Sequence, residues 1–133
     1  MNWETPLKLG SAAGGGVVGY LFGGWYFLLS ALLALVVIDY ATGMLAAGKE
    51  GNLNSKVGTR GIPKKITMLL LVAVAHLIDG VLGTGNSMRD AAAYFYIANE
   101  LLSIIENAGR LGAPVPDVLV RAVQVLKQKN SEK

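Results

Sequence analysis

Uncharged, mostly apolar sequence runs from Gly10 to Ile38, longer than the roughly 20 residues one membrane-crossing helix needs. Gly23-Gly24 interrupts it. The run predicts either one long span preceded by a glycine-rich, re-entrant segment, or a tight hairpin with helices over 7–22 and 25–47. Residues 48–65 follow as a polar, basic loop in which Gly51, Gly58, Gly61 and Pro63 read as breakers. A second apolar helix is predicted over 66–82, about 25 Å long at helical rise. After a turn at 83–87, a third is predicted over 91–108. Beyond Pro114 and Pro116, residues 117–129 place Val118, Leu119, Ala122, Val123 and Leu126 on one helical face. Arg121, Gln124, Lys127 and Gln128 take the other, which predicts an amphipathic surface tail. The expected fold is all-α: one small membrane domain over 1–133, with three or four hydrophobic helices and that tail.

Composition agrees with the pattern. The chain is 53% hydrophobic and 16% charged, with a mean hydropathy of +0.46. Soluble domains carry roughly 25% charge, so the balance points to a membrane protein. Its 133 residues leave no room for a second core. Cysteine is absent, which removes disulfides and thiolate metal sites.

Charge placement adds orientation. Of the twelve Lys and Arg, only Lys8 and Arg89 lie outside two clusters. One is Lys49, Lys56, Arg60, Lys64 and Lys65; the other is Arg110, Arg121, Lys127, Lys129 and Lys133. Neither interleaves aromatics for base stacking, which argues against nucleic acid. If 66–82 and 91–108 both cross, the clusters share one side, and the positive-inside rule makes it and the C-terminus cytoplasmic. A hairpin at the start puts Met1 inside; a single first span puts it outside.

Several ionisable groups interrupt the apolar runs: Asp39, His76, Asp79 and Glu100. A carboxyl at bilayer depth costs about 2.5–3.5 kcal/mol on insertion scales and requires a partner or a cavity. Antiparallel pairing about the turn at Asn86-Ser87 sets Asn99 and Glu100 near the level of His76. Counted from the inner boundary, Asp39 lies about 12 Å deep, His76 about 15 Å and Glu100 about 13 Å. Asp39, His76, Asn99 and Glu100 are therefore expected to form a polar layer, either an assembly seam or an intramembrane hydrogen-bond network. Asp79, close to Gly83, and Glu106 with Asn107 are expected near the interfaces. One histidine without cysteine gives no zinc set, and no nucleophile–base, phosphate-loop or dinucleotide motif occurs. No cofactor, metal or enzymatic activity is expected.

Gly15, Gly19 and Gly23 recur every fourth residue, which lets helix backbones approach closely. Gly43-x-x-x-Ala47 is a weaker version. These glycines are read as a self-association face, against packing within the chain. Trp3, Trp25, Tyr26 and Tyr94 suit interfacial belts.

Three ordered blocks carry a family likeness. The first is Ile38-Asp39-Tyr40-Ala41-Thr42-Gly43. The second is Asn54-Ser55-Lys56 with Gly58, Gly61 and Lys64-Lys65, leading to Leu77-Ile78-Asp79. The third runs from Tyr94 to Asn107 through Asn99, Glu100, Ser103 and Glu106, then Gly112, Pro114, Pro116 and Leu119. Over roughly 30–128 the chain resembles the toxin-secretion/phage-lysis holins, also called phage holin family 4. The resemblance implies a multi-pass protein of the bacterial inner membrane that oligomerises among lipids and forms lesions. Such lesions release an endolysin to the cell wall or let out a large toxin, without a stable contact to either, and an antiholin can restrain them. It implies no cofactor. Two other readings remain open: a small proton-coupled transporter subunit, and an antiholin or scaffold.

Overall fold

The computed structural model describes residues 2–131, with side chains to Gln128; Lys133 and the side chain of Lys129, from the second basic cluster, lie outside the described residues. Within them the chain is helical: α1 (Glu4–Phe22), α2 (Phe27–Lys49), α3 (Ser55–Arg60), α4 (Ile62–Leu82), α5 (Ser87–Arg110) and α6 (Asp117–Ser131). Two are long and apolar enough to cross a membrane, α2 and the α3–α4 stretch. Helix α5 matches them in length, but Arg89, Asp90, Glu100, Glu106 and Arg110 make it amphipathic rather than uniformly apolar. It is the spine of the fold, packing against α2, α4 and α6. Leu32, Val72 and Ile97 meet at the centre, one from each of α2, α4 and α5.

The first apolar run folds as two helices divided at Gly23-Gly24. Gly23 ends α1 with φ +79°, a left-handed cap that favours glycine. A Cβ there would also stand 2.8 Å from His76 Cε1 and 3.0 Å from Arg89 Nη1. Gly23 is thus explained by contacts within the chain and not by the helix face it was expected to share with Gly15 and Gly19.

The basic loop expected over 48–65 is largely helical. Asn54 caps α3 by accepting the Val57 N–H at 2.9 Å. Pro63 sits in the first turn of α4, where no helical N–H bond is needed and its fixed φ suits initiation. The residue read as a breaker is a helix starter, so α4 begins at Ile62 instead of residue 66. The predicted tail face is apolar as expected, but α6 folds back along α5 rather than standing alone. Val123 is buried, and Leu126 packs beside the central cluster.

At the turn between α4 and α5, Asp79 is 1% exposed and fully engaged. It accepts the N–H of Met88 at 3.0 Å, the N–H of Arg89 at 2.9 Å and the Thr84 hydroxyl at 2.5 Å. Asn86, the residue before α5, makes no side-chain cap bond; Asp79 caps the helix from its neighbour, where a carboxylate also complements the helix dipole. Asp79→Ala strands two N–H donors and is expected to cost about 2 kcal/mol. Lys56→Met, on the exposed face of α3, should change stability by less than about 0.5 kcal/mol. Denaturant titration of the detergent-solubilised protein checks both.

A candidate functional site: the Lys65 charge cluster

Lys65 lies on α4 directly before the apolar run from Ile66. Adjacent helical positions point about 100° apart, so Lys64 is exposed while Lys65 turns into the bundle. Its Nζ donates to Asp39 Oδ2 of α2 at 2.5 Å and to Glu100 Oε2 of α5 at 3.0 Å. The three side chains are 16%, 12% and 5% exposed. One buried cation therefore joins three helices through two carboxyl groups. Asn107 completes the shell, its Nδ2 donating to Asp39 Oδ1 at 2.9 Å and to Thr42 Oγ1 at 3.0 Å.

Gly43 faces this cluster from α2: a Cβ there would stand in ordinary contact with Asn107 Nδ2, at 3.5 Å. Gly58 is buried beneath Met44 and Tyr40. The Tyr40 hydroxyl donates to its carbonyl at 2.7 Å, which holds α3 against α2. Farther out, Arg110 pairs with Glu50 and holds that carboxyl below its ordinary range.

The cluster forms one wall of a polar cavity of about 610 Å³. Residues from all three sequence blocks line it: Asp39, Tyr40 and Gly43; Gly61, Lys64 and Lys65; Glu100, Ser103, Glu106 and Asn107. Ser55 and Lys56 are exposed on α3, and Pro114 and Pro116 lie in the connection to α6.

The expected layer of Asp39, His76, Asn99 and Glu100 divides. Asp39 and Glu100 meet through Lys65. His76 lies eleven residues further along α4, about 16 Å at helical rise, and stands at the Gly23 turn beside Arg89. Asn99 faces α6, sharing a small cavity with Phe95, Ala98 and Lys127. Depth counting placed His76 at the wrong level, because α4 reaches Asp39 and Glu100 with Lys65 near its start. Asn99, adjacent to Glu100, is instead separated by helix rotation. The glycines divide too: Gly15 and Gly19 have open space where a Cβ would be, whereas Gly23 and Gly43 pack internally.

Two functional residues escaped the sequence reading. Lys65 reads from sequence as a topology determinant and as part of the second block, not as the cation that the intramembrane acids call for. Arg89, outside the basic clusters, falls in the first turn of α5, where a cation opposes the helix dipole and so needs compensation. That compensation is visible: its guanidinium lies 3.7 Å from the Tyr26 ring centroid, its Nη1 donates to the Phe22 carbonyl at 3.0 Å, and its Nε pairs with Asp90. Tyr26, expected in an interfacial belt, instead packs under Arg89.

The bacteriophage holin family matches residues 16–128, most of the chain. The chain belongs to that family. A probable holin of Bacillus phage phi105 is 36% identical over 133 residues, covering 100% of this chain and 92% of that protein. An uncharacterized protein of Listeria monocytogenes is 48% identical over 129 residues, covering 97% of this chain and 92% of its own. Another, from Halalkalibacterium halodurans, is 49% identical over 134 residues, with coverages of 97% and 99%. No solved structure matches. The family match starts at Gly16, ahead of the 30–128 stretch in which motifs were legible, and so takes in the second half of α1 and the Gly23 turn. With two helices long and apolar enough to cross, this holin-family chain is a membrane protein.

Removing one partner from a buried ion cluster costs more than the cluster contributes, because the remaining charges stay desolvated. Lys65→Met is expected to destabilise the fold by about 3 kcal/mol. The double variant Lys65→Met/Glu100→Leu should recover part of that loss. Thermal melting of the purified variants checks the order; a Lys65→Met protein as stable as wild type contradicts the geometry.

Proposed function

We propose that the chain acts as a holin: it accumulates in the bacterial inner membrane, self-associates, and opens lesions through which an endolysin or toxin passes. The observation that carries this reading is the Lys65 cluster, charge held inside a bundle whose outer surface is apolar. Ile66, Leu70, Leu71, Val74, Val81 and Leu82 of α4 are all exposed on the single chain, as a lipid-facing helix requires. Each buried ion forgoes several kcal/mol of hydration. Separating α2, α4 and α5 around a water-filled opening returns that hydration, so the packed state is harmless and the opened state is polar-lined.

Self-association is assigned to the open side of α1. No described residue of that helix is buried, and Gly15 and Gly19 leave its backbone accessible. Small residues at this spacing drive helix pairing in lipid. In the proposed topology α2 and α4 cross with α1 and α5 traversing beside them, the turns at Gly23 and Gly83 lie outside, and both basic clusters with both termini are cytoplasmic.

Expression of the chain alone in a bacterial host, with turbidity and membrane potential followed over time, tests the reading. A delayed and abrupt collapse is expected; solute-specific flux without collapse supports a transporter, and no effect an antiholin or scaffold. Glu100→Ala, which removes one arm of the cluster, should shift the lysis time while the protein still fractionates with the membrane. Gly19→Leu should shorten the ladder of cross-linked oligomers. Undiminished ladders contradict the assignment of α1.

A further inference from the structure

Helices α2 and α4 pack chiefly on α5, and although Lys65 reaches Asp39 and Val72 clusters with Leu32, a groove lies between them. The groove has a volume of about 370 Å³ and is walled by residues such as Val36, Val37, Ile66 and Leu69. Tyr40 and Lys65 line both this groove and the polar cavity of the charge cluster. The two hollows therefore abut, one polar and one apolar.

Their order along the helices is fixed. Val36 and Val37 precede Tyr40 on α2, and Ile66 and Leu69 follow Lys65 on the antiparallel α4. Both walls thus lead from the basic end of the bundle towards the Gly83 end. A ligand filling both hollows has its polar end among the basic residues and its apolar end pointing into the membrane.

Charge bookkeeping selects the sign of that polar end. Asp39 and Glu100 are occupied by Lys65 and Asn107, and Arg110 by Glu50. Of the charged side chains lining the cavity, this leaves Arg60 and Lys64 without an ion-pair partner, against the exposed Glu106. Arg60 and Lys64 are thus the lining cations that no carboxylate engages among the described residues, and Arg and Lys side chains are strong partners for phosphate oxygens.

We propose that this composite hollow binds one anionic phospholipid of the cytoplasmic leaflet, with its phosphodiester against Arg60 and Lys64 and an acyl chain between α2 and α4. The inference rests on the membrane placement proposed above. A lipid held there lies against Lys65, and so couples membrane composition to the contact that closes the bundle. It also fills the gap between α2 and α4 that the protein leaves open.

Native mass spectrometry of the full-length protein, given equal amounts of phosphatidylglycerol and phosphatidylcholine, tests this. Wild type is expected to retain phosphatidylglycerol at least tenfold over phosphatidylcholine. Arg60→Gln/Lys64→Gln should abolish the preference. Val37→Trp, which fills the groove, should abolish retention of phosphatidylglycerol, whereas Leu70→Trp, exposed on α4 outside the groove, should not. Equal retention of the two lipids by wild type overturns the proposal, as does equal loss in Val37→Trp and Leu70→Trp. Glycerol phosphate binding as tightly as the lipid would show a soluble-anion site instead. Val37→Trp losing cross-linked oligomers while keeping the lipid would put a second copy in the groove. Wild type that lyses cells without lipid preference removes the lipid site alone; wild type that fails to enter membranes removes both this site and the holin reading.

Discussion

A single ammonium group sets how this bundle closes. Asp39 on α2 and Glu100 on α5 face each other across the core, and neither tolerates desolvation without a cation. Lys65 supplies it from α4, so the need of both carboxylates for one shared cation fixes the mutual rotation of three helices. Asn107 follows from that constraint, donating to the Asp39 Oδ1 that Lys65 leaves open. The family-resembling blocks, far apart in sequence, meet because they serve this one cavity.

The opposite end of the bundle is closed by different physics. Asp79 gives its acceptors to the first N–H groups of α5, and Arg89 joins the α1–α2 turn to that helix through Phe22 and Tyr26. Both ends therefore terminate on α5, the least apolar of the long helices. Its polar groups are compatible with a membrane setting because α2, α4 and α6 cover it. The apolar surface that remains belongs mainly to α2 and α4, the helices long and hydrophobic enough to cross.

The helices themselves were largely legible, because runs of apolar residues with glycine breaks encode them directly. The break at Gly23 was legible, but not its reason: the residue serves both a left-handed cap and a close approach to His76 and Arg89 that sequence alone does not reveal. Residues 48–65 misled because Pro63 carries opposite meanings inside a helix and at its first turn. The apolar face of α6 was readable, but not that α5 would cover it. For the site, the need of Asp39 and Glu100 for company was legible. Their partner was not, since Lys64 and Lys65 look equivalent until the helix turns one outward and the other inward. Counting depth grouped His76 with them, but it lies about three turns further along α4, at the Gly23 end, and helix rotation separates only Asn99. Nothing in the spacing of Tyr40 and Ile66 announces the groove between α2 and α4, which exists because both helices pack on a third.

The account makes lysis a separation of α2, α4 and α5 that trades buried ion pairing for hydration. Val72, at the centre of that packing and fully buried, reports on it directly, since the chain has no native cysteine. The decisive measurement is labelling of a Val72→Cys variant with a charged, membrane-impermeant thiol reagent during expression. The account predicts protection until the onset of lysis and rapid labelling from that moment. Lysis that proceeds while the thiol stays protected would contradict it.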